Sequence, residues 1–246
     1  MANPRPTLLL TRPLAASEQF FAQLPFAIRK QVTLRISPLM EITPTVSEIA
    51  FTDVTGIIFT SSNGVEVASR LTDRREPNVY CVGHATTRAA QRLGWTARFA
   101  GETAEQLLTN LRTQDISGSL LHLAGEHRRV EIAKRLTAAG CPTRCLPIYD
   151  QVLKPMSSAA LADIRSRSEV IAPVFSPRTA RQLVSQVPND ARIHLIALSS
   201  AVAEPLVVLT RSSLIVTDRP DAASMAEHLQ SVLNTLCRVE SSGGAQ

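Results

Sequence analysis

The sequence predicts an α/β protein of two similar lobes, each a parallel sheet flanked by helices. A two-stranded antiparallel linker joins them and a ligand cleft lies between them. Three observations predict this class. Apolar runs alternate along the chain with helical stretches, the order of strands and crossover helices in parallel sheets. The pattern of apolar run, small polar turn and helix at 56–65, 79–87 and 100–108 returns at 170–179, 193–200 and 217–225. Two Pro-flanked extended stretches, near 37–44 and 147–155, read as crossings between lobes.

The elements follow in order. Thr7-Leu8-Leu9-Leu10-Thr11 gives a first strand, 7–11, followed by a helix near 14–24, a strand near 32–36 and the first extended stretch. Strand 56–60 leads to helix 63–72, which Ser62 or Asn63 can cap. Strand 79–82 precedes helix 84–93, stopped by Gly94, and a short strand near 97–99. Thr103 with Gln106 three residues on forms a capping box for helix 103–112. Strand 119–123, helix 126–138 ending at Gly140, and a strand closing on Leu146-Pro147-Ile148-Tyr149 complete the middle. After the second extended stretch come helix 157–166, strand 170–175, helix 177–186, strand 193–197, helix 200–208 and strand 213–216. Pro220-Asp221 opens the last helix, 221–236, and 239–246 reads as a frayed tail. If the first stretch leaves a domain and the second returns to it, the middle is an inserted domain. A plain split into halves fits the repeat equally well.

Composition bounds the class. At 246 residues, 44% apolar and 19% charged, the chain suits two folded domains of modest size. No apolar leader precedes the first strand, and no run approaches the roughly 20 residues that span a bilayer, so a cytoplasmic protein with no membrane partner is expected. Only three of the 26 basic residues are Lys (Lys30, Lys134, Lys154), so few candidates exist for Schiff-base chemistry. The Arg bias follows from genomic base composition, or supplies forks for carboxylates and phosphates. No dense basic run with interleaved aromatics occurs, so nucleic acid is not an expected partner. The four cysteines, Cys81, Cys141, Cys145 and Cys237, lack metal-site spacing and read as reduced thiols, Cys81 in a core strand. His122 and His194 sit within strand runs and read as structural. Dinucleotide, P-loop, nucleophile-elbow and H-E-x-x-H motifs are absent.

What remains is a set of strand-end loops: Thr11-Arg12-Pro13, Thr60-Ser61-Ser62-Asn63, Gly83-His84-Ala85-Thr86-Thr87, Ala124-Gly125-Glu126, Ser176-Pro177-Arg178-Thr179 and Ser199-Ser200. Small side chains there let backbone N–H groups at helix N-termini face an anion. The same residue types also simply cap helices. Recurrence at so many strand ends favours a shared site, since ligands of open α/β sheets sit beyond the strand C-termini.

The chain resembles the uroporphyrinogen-III synthase family over nearly its whole length. The carrying stretches are Leu8 to Pro13, Ile58 to Val65, Val82 to Thr86, Ala100 to Leu107, Gly125 to Arg128, Leu146 to Tyr149 and Phe175 to Arg178. The resemblance implies an inserted α/β domain, 38–152, within a discontinuous one, 1–37 and 153–246, with a hinge near 37–42 and 148–154. It implies a cyclising lyase: linear hydroxymethylbilane loses water and closes to uroporphyrinogen III with ring D inverted, without metal or cofactor. It implies substrate contacts at Thr11, Arg12, Thr60, Ser61, Ser62, Asn63, Gly83, His84, Ala85, Thr86, Gly101, Gly125, Ser176, Arg178, Ser199 and Ser200. Tyr149 is the residue matched to the leaving hydroxyl, with packing between lobes as its other reading. A monomer is expected, with transient contact to the preceding pathway enzyme. The chain departs from the family at 197–202, where Ala197-Leu198-Ser199-Ser200-Ala201-Val202 replaces a loop with Gly and paired polar residues. Two other classes fit the loops: a hinged bilobal binding protein for a small anion, and a flavodoxin-like pair holding FMN. One Trp and two Tyr leave little aromatic surface to stack a flavin.

Overall fold

A strand buried on both faces must be apolar throughout, and the β-rich runs here fold that way. The structure, a computed structural model, describes residues 5–114, 118–127, 131–166 and 168–243. The chain forms two units, Met1–Glu41 with Leu153–Gln246, and Ile42–Val152.

The first unit begins with β1 (Thr7–Leu10), α1 (Leu14–Gln23), α2 (Phe26–Gln31) and β2 (Thr33–Ile36). The second runs β4 (Val54–Phe59), α3 (Ser62–Leu71), β5 (Asn78–Val82), α4 (His84–Arg92), β6 (Ala97–Gly101), α5 (Ala104–Arg112), β7 (Ser119–Gly125) and α6 (Ile132–Ala138). Strands β3 (Met40–Pro44) and β8 (Thr143–Leu153) lead into and out of it. The first unit then resumes with α7 (Ser158–Arg165), β9 (Val170–Val174), α8 (Pro177–Gln186), β10 (His194–Ala197), α9 (Ser200–Ala203), β11 (Ser213–Val216) and α10 (Ala222–Gly243).

The first sheet has the order β11-β10-β9-β1-β2, every pair parallel. One face packs Leu9, Ala172, Val174 and Leu195 under Ala160, Leu183 and Val202 of α7, α8 and α9. The other packs Leu8, Leu10, Ile171 and Ile196 under Phe20, Ile28, Met225 and Leu229 of α1, α2 and α10. The second sheet has the order β3-β8-β7-β4-β5-β6, parallel from β8 to β6. Ile57, Phe59, Leu121 and Leu123 pack on α3 and Trp95, whose indole N–H donates to Ser69 Oγ at 2.8 Å. On the opposite face Ile58, Tyr80 and Leu120 pack on α5 and α6. Helices cover both faces of each sheet, as continuous apolar strands require.

Along β3 and β8 the backbone bonds Lys154 N to Leu39 O (3.0 Å) and Thr45 N to Ile148 O (3.0 Å) run in opposite order, so this pair is antiparallel. The strand expected to end at Tyr149 and the extended stretch after it are one eleven-residue strand. Three further differences appear, the first two with local causes. The α2 helix was not expected; Pro25 presets its entry and only six residues form it, too few for a periodic signal. The expected helix 200–208 is α9 followed by a 3-10 turn over Glu204–Val208, because Pro205 has no N–H to continue an α-helix. The last helix runs to Gly243, past the expected stop at 236. The start of the expected helix 126–138 includes 128–130, which lie outside the described residues, as does the Arg128 end of the family-like stretch.

Capping follows the sequence closely. Thr103 Oγ1 accepts from Gln106 N (3.3 Å), while Gln106 Oε1 accepts from Glu102 N (2.7 Å), one residue earlier than a standard box. Asp221 Oδ1 accepts from Ser224 N at 2.8 Å. The cap of α3 is Ser61, taking Asn63 N at 3.2 Å, and not Ser62 or Asn63, which already lie in the helix.

Gly101 closes β6 at φ 142°, and a Cβ there would fall 2.6 Å from Gln106 Cβ and 2.9 Å from Leu107 N. Gly101→Ala must therefore push β6 from α5 as well as strain the backbone. A loss of about 1–3 kcal/mol in unfolding free energy is expected, read from urea midpoints.

Candidate active site

In an open parallel sheet, the loops on either side of the point where strand order reverses diverge and leave a crevice. In the first sheet β2 lies to one side of β1 and β9 to the other, so the reversal falls between β1 and β9. In the second, β5 lies to one side of β4 and β7 to the other. The loops at these points are Thr11-Arg12-Pro13 with Ser176-Pro177-Arg178, and Thr60 to Asn63 with Gly125. Both pairs come from the sequence-derived set.

In the first unit Thr11 is fully buried and its Oγ1 has no hydrogen-bond partner among the described residues. The Arg12 guanidinium lies 4.3 Å over the Phe175 ring, which meets Phe20 edge-on at 5.0 Å. The cation is thus fixed across the reversal point by an aromatic face. Ser176 caps α8, accepting from Thr179 N (3.1 Å) and donating to Thr179 Oγ1 (2.8 Å). Arg178 is half-buried in the first turn of that helix. Ser199 precedes α9 without a side-chain cap, and Ser200 is exposed.

In the second unit the organising side chain is Tyr149, 4% exposed in β8. Its ring lies where a Cβ on Gly125 would come within 2.8 Å, and where one on Gly64 would sit 3.6 Å away. Gly125 stands opposite Tyr149 in the β7–β8 register, and Glu126 N donates to Tyr149 O at 3.0 Å. Burial raises the phenol above its ordinary value, and hydrogen bonds with Ser61 and Gln151 work against that rise. Ser61 therefore serves twice, as cap of α3 and as partner of the phenol. Thr60 is exposed; Ser62 and Asn63 are half-buried at the start of α3.

The β5 and β6 loops are tied by Gly83 N to Gly101 O at 2.8 Å. Gly83 takes φ 79° with open space around it and enters α4 without a side-chain cap. His84 and Ala85 are exposed and Thr86 is buried. The His84 ring stacks on Phe99 at 4.1 Å, with Nε2 3.4 Å from Glu102 Oε1. Buried Gly101, by contrast, is accounted for by its packing on α5.

Residues that sequence reasoning missed cluster near Tyr149. Gln151 lies two residues on, on the same face of the strand, so strand periodicity could have found it. His127 Nε2 sits 3.3 Å from Asp150 Oδ1, a pair brought together only by β7–β8 register. Among the described residues no group of three or more His, Cys, Asp or Glu could hold a metal ion, and no helix is long and apolar enough to cross a membrane.

A family model described as uroporphyrinogen-III synthase HemD matches residues 29–227. The chain belongs to the uroporphyrinogen-III synthase family. It is a cyclising lyase of tetrapyrrole synthesis, and nothing in the fold favours a binding protein without catalysis. The fold is similar to that of uroporphyrinogen-III synthetase from Helicobacter pylori 26695, with TM-score 0.63 at 16% identity over 93% of this chain and 99% of that one. It is also similar to a mutant uroporphyrinogen III synthase from the extremely thermophilic bacterium Thermus thermophilus, with TM-score 0.51 at 13% identity over 93% and 99%. A search of curated proteins gives no significant match.

The raised Tyr149 phenol has a stability consequence for the synthase. The folded chain keeps this proton at pH values where the unfolded chain has lost it. Stability is therefore full below the ordinary phenol value of about 10 and falls as pH rises from there through the folded value. Tyr149→Phe removes this contribution. Its urea midpoint is expected to fall less steeply than the parent's in the alkaline range.

Proposed function

We propose that this synthase binds hydroxymethylbilane at the strand-end loops of its two units and that Tyr149 assists departure of the hydroxyl. The observation that carries the reading is the tie of the Tyr149 phenol to Ser61, at the strand-order reversal of the second sheet. Hydroxymethylbilane is a polyanion with acetate and propionate chains. Main-chain donors at His84 to Thr86 and at Ser62, with Arg12 and Arg178, suit carboxylates. A neutral phenol held by Ser61 can donate a hydrogen bond to the departing hydroxyl.

Electron-rich pyrroles stabilise the resulting cation themselves. The remaining task is geometric: ring D must attack through its substituted carbon to give a spiro intermediate. On this reading the middle of the chain, 38–152, is an inserted domain hinged near 37–42 and 148–154, and closure supplies the near-attack geometry. The reading further takes the enzyme as a cytoplasmic monomer that meets the preceding pathway enzyme transiently. The antiparallel β3–β8 pair, with Lys154 Nζ 2.9 Å from Glu41 Oε2, is consistent with a thin two-stranded connection.

Two outcomes test the reading. Supplied with hydroxymethylbilane and no added metal or nucleotide, the enzyme is expected to give the type III isomer, read by chromatography of the oxidised product. Only type I product would refute it. Tyr149→Phe keeps the ring against Gly64 and Gly125 and removes the hydroxyl. A transition-state hydrogen bond is worth about 2–4 kcal/mol, so turnover is expected to fall by about 30-fold or more with the urea midpoint near neutral pH little changed. Parental turnover would leave Tyr149 as a packing residue and assign the acid to main-chain donors or the substrate's own carboxyl groups.

A further inference from the structure

Cys145 of β8 lies opposite His122 of β7 in the parallel ladder, with Sγ 3.8 Å from Nδ1. The other ring nitrogen, Nε2, lies 3.5 Å from Thr60 Oγ1 at the end of β4. The imidazole is 2% exposed and lies between a thiol and a hydroxyl. Cys145 itself is half-buried, whereas Cys81 and Cys141 are buried. Burial pushes the Cys81 thiol up to about 12, which makes it inert.

We propose that Cys145 is an activated thiol and a modification site for soft electrophiles, low-molecular-weight disulfides in particular. The tautomer with its proton on Nε2 donates to Thr60 Oγ1 and turns the Nδ1 lone pair toward Sγ. The thiol proton passes to Nδ1, giving a thiolate–imidazolium pair. The thiolate attacks one sulfur of the disulfide; the S–S bond breaks, a Cys145 S–S bond forms, and the other half leaves as a thiolate that takes up the proton. Thiol plus disulfide gives mixed disulfide plus thiol, with no net redox change.

Such a modification removes the sulfur partner of His122 and adds bulk to β8. Because the ring also meets Thr60, the disturbance reaches the loop assigned to substrate. That last step rests on the proposed substrate site; the reactivity of the thiol does not.

The test is cysteine-resolved mass spectrometry of the intact enzyme treated with iodoacetamide at neutral pH. Cys145 is expected to alkylate about tenfold faster than exposed Cys237. His122→Gln and, at the exposed strand end, Thr60→Val are each expected to slow Cys145 several-fold without changing Cys237. The Thr60→Val comparison stands if the buried His122→Gln change prevents folding. Cys145 reacting no faster than Cys237 in the parent overturns the proposal, as does a Cys145 rate indifferent to Thr60→Val. Oxidised glutathione is then expected to form a mixed disulfide at Cys145 and lower turnover, reversibly with dithiothreitol and not in Cys145→Ser. A mixed disulfide with unchanged turnover refutes the coupling to Thr60 while leaving the thiol assignment intact.

Discussion

The second unit is organised around the volume of one phenol ring. Tyr149 occupies the space that side chains on Gly125 would need and lies close beside Gly64. Those two glycines let β8, the end of β7 and the first turn of α3 approach one another. The phenol then fixes Ser61, whose own hydroxyl starts α3. Removing the ring would leave a cavity among well-packed neighbours, and adding a side chain at Gly125 would displace it. The position of the Thr60–Asn63 loop thus depends on a packing contact as much as on the strand that precedes it.

The small polar residues at the strand ends divide into two physical groups. Ser61, Thr103, Ser157, Ser176 and Asp221 spend a side-chain oxygen on a helix N-terminus. Gly83 and Ser199 enter α4 and α9 without such a bond. Capping therefore explains the composition of several loops by itself, and what sets a ligand loop apart is where it lies in the sheet. Strand order places two of them at the reversal point of each sheet, a position that local chemistry does not determine.

Period and punctuation made most of the architecture legible. The Leu8-Leu9-Leu10 run, the Thr103–Gln106 spacing and the Pro220–Asp221 start each marked an element locally. The six-residue α2 helix carried too short a period, and Pro205 changed the helix type within an otherwise continuous pattern. At the candidate site, the residue types at strand ends were visible, and so was Tyr149. Its environment was not, because the packing of Gly64 and Gly125 on its ring and the His127–Asp150 pair join segments far apart in sequence. The same holds for Thr60, His122 and Cys145, which three different strands bring together.

The similarity of fold to the Helicobacter pylori protein at 16% identity follows from what holds such a sheet together. Core positions need apolar volume more than a particular residue, so they can exchange freely. Strand-end loops need small residues and a helix behind them. On the proposed reading, backbone N–H groups and a few fixed side chains hold the substrate's carboxylates, so recognition is supplied largely by the course of the main chain. A site built that way survives the replacement of most side chains around it. It also accommodates the Ala197–Val202 segment, where Ser199 and Ser200 retain side-chain donors although Ala201 and Val202 carry none. The positions under side-chain constraint are then those where a ring, a cation or a glycine sets the backbone's path: Tyr149 against Gly125, and Arg12 over Phe175.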